Sequence, residues 1–213
     1  MLAAMARIVM IRHGETIGQS SVRLHGRSDV PLSAEGREQM RQARRALPGS
    51  VFDLLVASPL RRAWEGARIV LPGHPVVVER DFREIDFGLW EGCSAQEIAE
   101  RSPALYRAWR ERAPGFEYPG GERRDDFRAR VEAGLRRVRA YGVASVLIIA
   151  HKGVIRAIAQ AMTGELPADD ALQLGGSVQL SEHSDGSWAI GRRGLGGPYV
   201  QGACDDARSR PDR

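Results

Sequence analysis

The apolar positions of this chain include three unbroken runs, Ile8 to Ile11, Leu54 to Ala57 and Val146 to Ala150, and between them apolar residues recur every three or four positions. Unbroken branched runs suit strands buried on both faces, and the periodic stretches suit amphipathic helices. Strands are therefore expected at Ile8 to Ile11, Asp53 to Ala57, Val146 to Ala150 and, more briefly, Pro75 to Glu79. Helices are expected over Ala34 to Leu47, capped by Ser33 and closed by Pro48-Gly49, and from Ser58-Pro59 to about Leu71, with Ser58 as cap and Pro59 in the first turn. Ser94 and Glu97 form a capping box, Ser102-Pro103 opens a helix over Ala104 to Glu111, and longer helices follow over Glu122 to Tyr141 and Val154 to Met162. Val178 to Ser181 and Trp188 to Ile190 flank a Ser184-Asp185-Gly186-Ser187 hairpin signal. Ile17 to Pro31 reads as a long polar loop, and Phe82 to Gly92, which keeps no period, as loop or edge strand. The alternation predicts an α/β three-layer sandwich with a mostly parallel central sheet and a small helical cap inserted over about 92–121. One domain is expected over 1–193, with a disordered tail from 194 to 213.

The polar residues that end these strands change the picture from fold to chemistry. Open α/β sheets place ligands at the carboxyl ends of their strands, and here those ends read Arg12-His13-Gly14, Ser58 to Arg62, and His151-Lys152-Gly153. His13 is a nucleophile that is largely neutral at physiological pH, and Arg12 and Arg62 are permanently charged forks matched to phosphate oxygens. Gly14 is expected to let an anion lie against the main chain. With Glu84 for proton transfer, the set suits phosphoryl transfer through a phosphohistidine. Arg61, about 100° around the helix from Arg62, is expected to face away. Glu15 is expected to orient the loop. No Walker loop, GxGxxG after a strand, GxSxG elbow or HExxH is present.

Composition narrows this without redirecting it. The 213 residues carry a net charge of +4, but the basic residues are almost all arginine, interleaved with 27 acids, which argues against a nucleic-acid-binding stripe. No apolar run is long enough to span a membrane, and the amino-terminal stretch lacks a signal-like basic region, so a cytoplasmic setting is expected. Cys93 and Cys204 have no metal-type spacing and are expected to be free thiols; no metal site and no cofactor are expected.

These residues together resemble the histidine phosphatase superfamily, in its phosphoglycerate mutase-like branch. The resemblance rests on Arg12 to Thr16 (Arg-His-Gly-Glu-Thr), on Gly26, Asp29, Pro31 and Leu32, and on Ser58, Pro59, Leu60, Arg62 and Ala63. It continues through Arg83, Glu84, Phe87, Gly88, Trp90, Glu91 and Gly92, then Pro119 to Glu122, and ends at His151. It implies that His13 is phosphorylated, that Arg12, Arg62 and His151 hold the phosphoryl group, and that Glu84 protonates the leaving oxygen before activating water. Substrate contacts are expected from Gln19, His25, Gly26 and Lys152. Three of these depart from the family pattern: Gln19 stands where an asparagine is usual, His25 where a glutamine is common and Lys152 where a glycine is common. The implied activity is a metal-independent phosphomonoesterase for a small phosphorylated metabolite, with a cofactor-dependent mutase or a non-catalytic phospholigand-binding module as alternatives. A homodimer is left open. Lys152, if it faces the pocket, is expected to favour a substrate with a second anionic group.

Overall fold

A computed structural model describes residues 5–47 and 51–191; Pro48-Gly49, Cys204 and the tail expected from 194 lie outside the described residues. Strands β1 (Arg7–Arg12), β2 (Leu54–Ala57), β3 (Val76–Val78), β4 (Ser145–Ala150), β5 (Ser177–Glu182) and β6 (Trp188–Ile190) form a sheet in the order β3-β2-β4-β1-β5-β6. The first four positions in that order are parallel, and β5 and β6 add an antiparallel edge, the expected hairpin. Helices α1 (Ala34–Arg45), α2 (Arg61–Val70), α3 (Ala95–Arg101), α4 (Pro103–Arg110), α5 (Arg124–Arg139) and α6 (Lys152–Thr163) complete the α/β fold.

Side-chain alternation along the central strands explains the three layers. Successive strand residues face opposite ways, so Val9, Ile11, Leu147 and Ile149 pack with Met40 of α1 and Ala63 and Ala67 of α2. Ile8, Met10, Val146 and Ile148 go to the other side, against Val131 and Leu135 of α5 and Val154 and Ile158 of α6. Both faces are closed to water, which is why these strands read as unbroken apolar runs. Each fully buried branched side chain contributes roughly 1.5–3 kcal/mol. Residues between β3 and α5 build a separate core from Trp90, Ile98 and Phe116, joined by Trp109 and Tyr118.

Register sets the site. Arg12 pairs with Ala150 and Ala57 with Ile149, so β1 and β4 end level at the carboxyl end of the sheet and β2 ends one residue short of them. His13, Ser58 and His151, each the next residue along its chain, emerge side by side.

Two local expectations are corrected. Helix α2 starts at Arg61 with Leu60 as its cap, and Ser58 does not cap it, because the Ser58 hydroxyl is engaged with His151 instead. Helix α6 starts two residues early, at Lys152, with His151 in the cap position. Of the two alternatives for the 82–92 segment, the loop holds; it is shaped by two 3-10 turns, Arg80–Phe82 and Gly88–Trp90, whose Phe82 and Trp90 anchor different cores.

Candidate active site

His13 leaves β1 as a buried side chain, and its Nδ1 lies 2.8 Å from the carbonyl oxygen of Gly14. A carbonyl can only accept, so Nδ1 carries the proton and Nε2 of the neutral ring presents a lone pair. The ring of His151 stands edge-on, 5.1 Å away. Both imidazoles are held well below the ordinary value of 6.5, first by burial and then by the positive charge of Arg62; Arg12 adds to this for both. Neutral histidines at physiological pH are the consequence.

Arg62 is fully buried on the first turn of α2, and its guanidinium donates to three main-chain carbonyls, Ser28 at 2.6 Å, His25 at 2.8 Å and Gly26 at 2.9 Å. Burial lowers its pKa to about 10, so it remains a cation at neutral pH. Arg12 donates to Leu172 O at 2.9 Å, fixing the chain that leads into β5. Arg12 Nε, Arg62 Nε and His151 Nδ1 are buried nitrogens with no hydrogen-bond partner among the described residues. Buried polar atoms of this kind call for an explanation, and an anion that accepts from all three is the simplest.

Glu84 comes from the connection that sequence periodicity could not parse. Its carboxylate accepts from Ile85 N and from Gly153 N, each at 3.0 Å, so the amino end of α6 points at it. Gly153 is constrained by this contact: a Cβ there would overlap Glu84 Oε1. Gly14 is small for a different reason than expected, because a Cβ on it would strike the backbone of Gly36 at the start of α1, not a ligand.

Glu91, marked in the sequence only as part of the family motif and given no role there, accepts from Gly26 N at 3.0 Å, Arg27 N at 3.0 Å, Ser28 Oγ at 2.6 Å and Phe87 N at 3.1 Å. The 25–28 loop is therefore gripped from one side by Arg62 and from the other by Glu91. Ser58 was also misread; its hydroxyl lies 2.7 Å from His151 Nε2 and receives Leu60 N–H at 3.3 Å. Glu15 accepts from Thr16 N and Ser21 N, as a loop-orienting carboxylate would.

The structure thus brings Arg12, His13, Arg62, Glu84 and His151 to one sheet edge. The four expected substrate contacts are arranged differently. Gln19 is exposed at the loop tip with φ +59°, a conformation better suited to asparagine. His25 Nε2 is 2.6 Å from Gly18 O, which ties the loop to itself, and Gly26 is wedged against Ile85 O and Glu91. Lys152 is neither free in solvent nor aimed at the histidines; its Nζ is 3.0 Å from Asp169. Arg61 faces away, paired with Glu65 at 2.6 Å. Among the described residues no group of three or more His, Cys, Asp or Glu side chains is arranged to hold a metal ion, and no helix is long and apolar enough to cross a membrane.

Comparison with known proteins agrees with this geometry. The model of the histidine phosphatase superfamily, branch 1, matches residues 8–194. The chain is 35% identical over 193 residues to the glucosyl-3-phosphoglycerate phosphatase of Mycolicibacterium vanbaalenii, covering 84% of this chain and 85% of that protein. It is 31% identical to the adenosylcobalamin/alpha-ribazole phosphatase of Escherichia coli, covering 76% and 81%. The solved structure of a mycobacterial glucosyl-3-phosphoglycerate phosphatase superimposes with a TM-score of 0.73 at 31% identity, over 87% of this chain and 96% of that one. A β1 strand that ends in a buried, neutral histidine between two arginines, matched over nearly all the described chain, means that this protein belongs to the histidine phosphatase superfamily, branch 1.

Proposed function

We propose that the protein is a metal-independent phosphomonoesterase that acts on a small phosphorylated metabolite through a phosphohistidine. The observation that carries this reading is the Nδ1 to Gly14 carbonyl bond of His13, which leaves the Nε2 lone pair among Arg12, Arg62 and His151. Attack by Nε2 on phosphorus forms the N–P bond and breaks the ester P–O bond, while the leaving oxygen takes a proton from Glu84. The charge on the phosphoryl oxygens in the transition state is met by Arg12, Arg62 and the Nδ1 side of His151. Glu84, now a carboxylate, then takes a proton from water as that water attacks phosphorus, releasing inorganic phosphate and restoring His13. Both Glu84 oxygens already accept main-chain N–H bonds, and each retains a second lone pair for this proton. The separate core around Trp90 is read as a cap over the pocket, and a small metabolite as substrate fits a cytoplasmic setting.

Hydrolysis of an aryl phosphate in the presence of EDTA tests the reading. Turnover should persist in chelator, disappear in His13→Ala, and leave an acid-labile, base-stable phosphoenzyme on rapid quenching. A requirement for added metal, or activity that survives His13→Ala, would overturn it.

A further inference from the structure

Asp169 precedes the 3-10 turn Asp170–Leu172, and it is the shared partner of three cations from two parts of the chain. Lys152 Nζ lies 3.0 Å and Arg156 NH2 3.4 Å from its Oδ1, while Arg112 NH2 lies 3.6 Å from its Oδ2. Lys152 and Arg156 are one turn apart on the same face of α6, whereas Arg112 follows α4. Three positive charges around one carboxylate leave a local excess of +2. The carboxylate stands more open to water than the two cations of α6: Asp169 is 59% exposed, against 38% for Lys152 and 26% for Arg156, whose buried Nε has no partner among the described residues. Arg112 is held at φ +53°, a left-handed conformation that a non-glycine residue adopts at a cost of roughly 1–2 kcal/mol.

The group is tied along the chain to the phosphate pocket from two directions. Lys152 directly follows His151, and the next N–H, that of Gly153, is bonded to Glu84. From the other direction, Leu172 is three residues from Asp169 and its carbonyl accepts from Arg12. Tyr118 lies within the electrostatic reach of both Glu84 and Arg156, which links the two regions through one half-buried ring.

We propose that Lys152, Arg156 and Arg112 form a second anion site, for which Asp169 is a resident and displaceable counter-ion, and that it takes the carboxylate of a phosphorylated carboxylic acid while the phosphate lies at His13. The proposal rests on the phosphatase reading and names a substrate class for it. An incoming carboxylate carries the same charge as Asp169, can accept from the same three donors, and brings an acceptor for the unpartnered Arg156 Nε. Asp169 is exposed enough to turn outward into water at little cost.

The test uses a matched pair of probes, 3-phosphoglycerate and glycerol 3-phosphate, which differ in having a carboxylate or a hydroxymethyl group. Wild-type protein should prefer 3-phosphoglycerate in kcat/KM. Lys152→Gln and Arg156→Gln should each lower that preference about fivefold, and Asp169→Asn, which removes the competing charge, should raise it. A preference that does not move in the glutamine variants, or that falls in Asp169→Asn, would overturn the proposal. Calorimetric binding of both probes to His13→Ala gives a readout without turnover: the same order of affinities, shifted by the same substitutions, is expected. Equal binding of the two probes there would overturn the second anion site, whereas wild-type protein that binds 3-phosphoglycerate more tightly but hydrolyses neither probe nor an aryl phosphate would overturn the phosphatase reading alone.

Discussion

The N–H of Gly153 donates to one oxygen of Glu84 at 3.0 Å, and a Cβ on the same residue would overlap the other oxygen. A methyl group at Gly153 has to displace the carboxylate. Gly153→Ala should therefore lower kcat for an aryl phosphate by about 10–100-fold with a smaller change in KM, because proton transfer depends on the position of Glu84 more than ground-state binding does. Overpacking should also cost about 1–3 kcal/mol of stability in urea unfolding. Wild-type kcat in a folded Gly153→Ala protein would show that the contact is unimportant.

Ser58 fixes the proton arrangement of His151. Its hydroxyl accepts from Leu60 N–H and lies 2.7 Å from Nε2; the tautomer in which the hydroxyl donates to Nε2 is the one that leaves Nδ1–H as a donor for an anion in the pocket. Ser58→Ala should reduce kcat/KM about tenfold and stability by about 1–3 kcal/mol, with Ser58→Thr recovering most of both. Threonine performing no better than alanine would count against a hydrogen-bonding role.

Acid should destabilise the fold in a window set by the two histidines. Both have folded values well below the ordinary 6.5, so below that pH the unfolded chain binds protons that the native chain does not. Their contribution is complete above about pH 6.5 and declines as pH falls toward the lowered folded values, by up to about 1.4 kcal/mol per pH unit for each histidine. Glu79, whose carboxyl burial pushes up but Arg137 and the Asp81 N–H together hold below the ordinary 4.5, acts only at lower pH. Urea unfolding at pH 7 and pH 5 should show a smaller loss in His151→Asn than in wild-type protein. Identical losses would remove the histidines as the cause.

Glu91 should matter for binding. Glu91→Gln keeps one acceptor oxygen for the 25–28 loop but cannot serve four donors, so KM should rise by about 3–10-fold with kcat less affected. The same variant should lower the melting temperature by a few degrees. A change confined to kcat would place Glu91 in the chemistry instead.

The strands and their polar ends were legible because a run such as Ile8 to Ile11 states its own burial, and the residue where it stops states where water or ligand begins. The helices were legible from caps and period to within a few residues. What stayed hidden depended on partners distant in sequence. Ser58 looked like a cap because its near neighbours fit one, but its bond is to His151, 93 residues away. Gly14 signalled a close approach without saying that Gly36 makes it. Glu84 and Glu91 lie in a segment with no period, where only the family motif marked them. Lys152 was placed beside the right histidine, but no local pattern could pair it with Asp169.

Arg62 holds the 25–28 loop by carbonyl oxygens alone. Main-chain oxygens are the same whatever side chain each residue bears, so this clamp is indifferent to the identity of positions 25 and 27. Those side chains can change while the Arg62 guanidinium keeps its place. The place of the buried cation and the chemistry of the side chains around it are thereby written separately, and a substitution at either position leaves the guanidinium anchored.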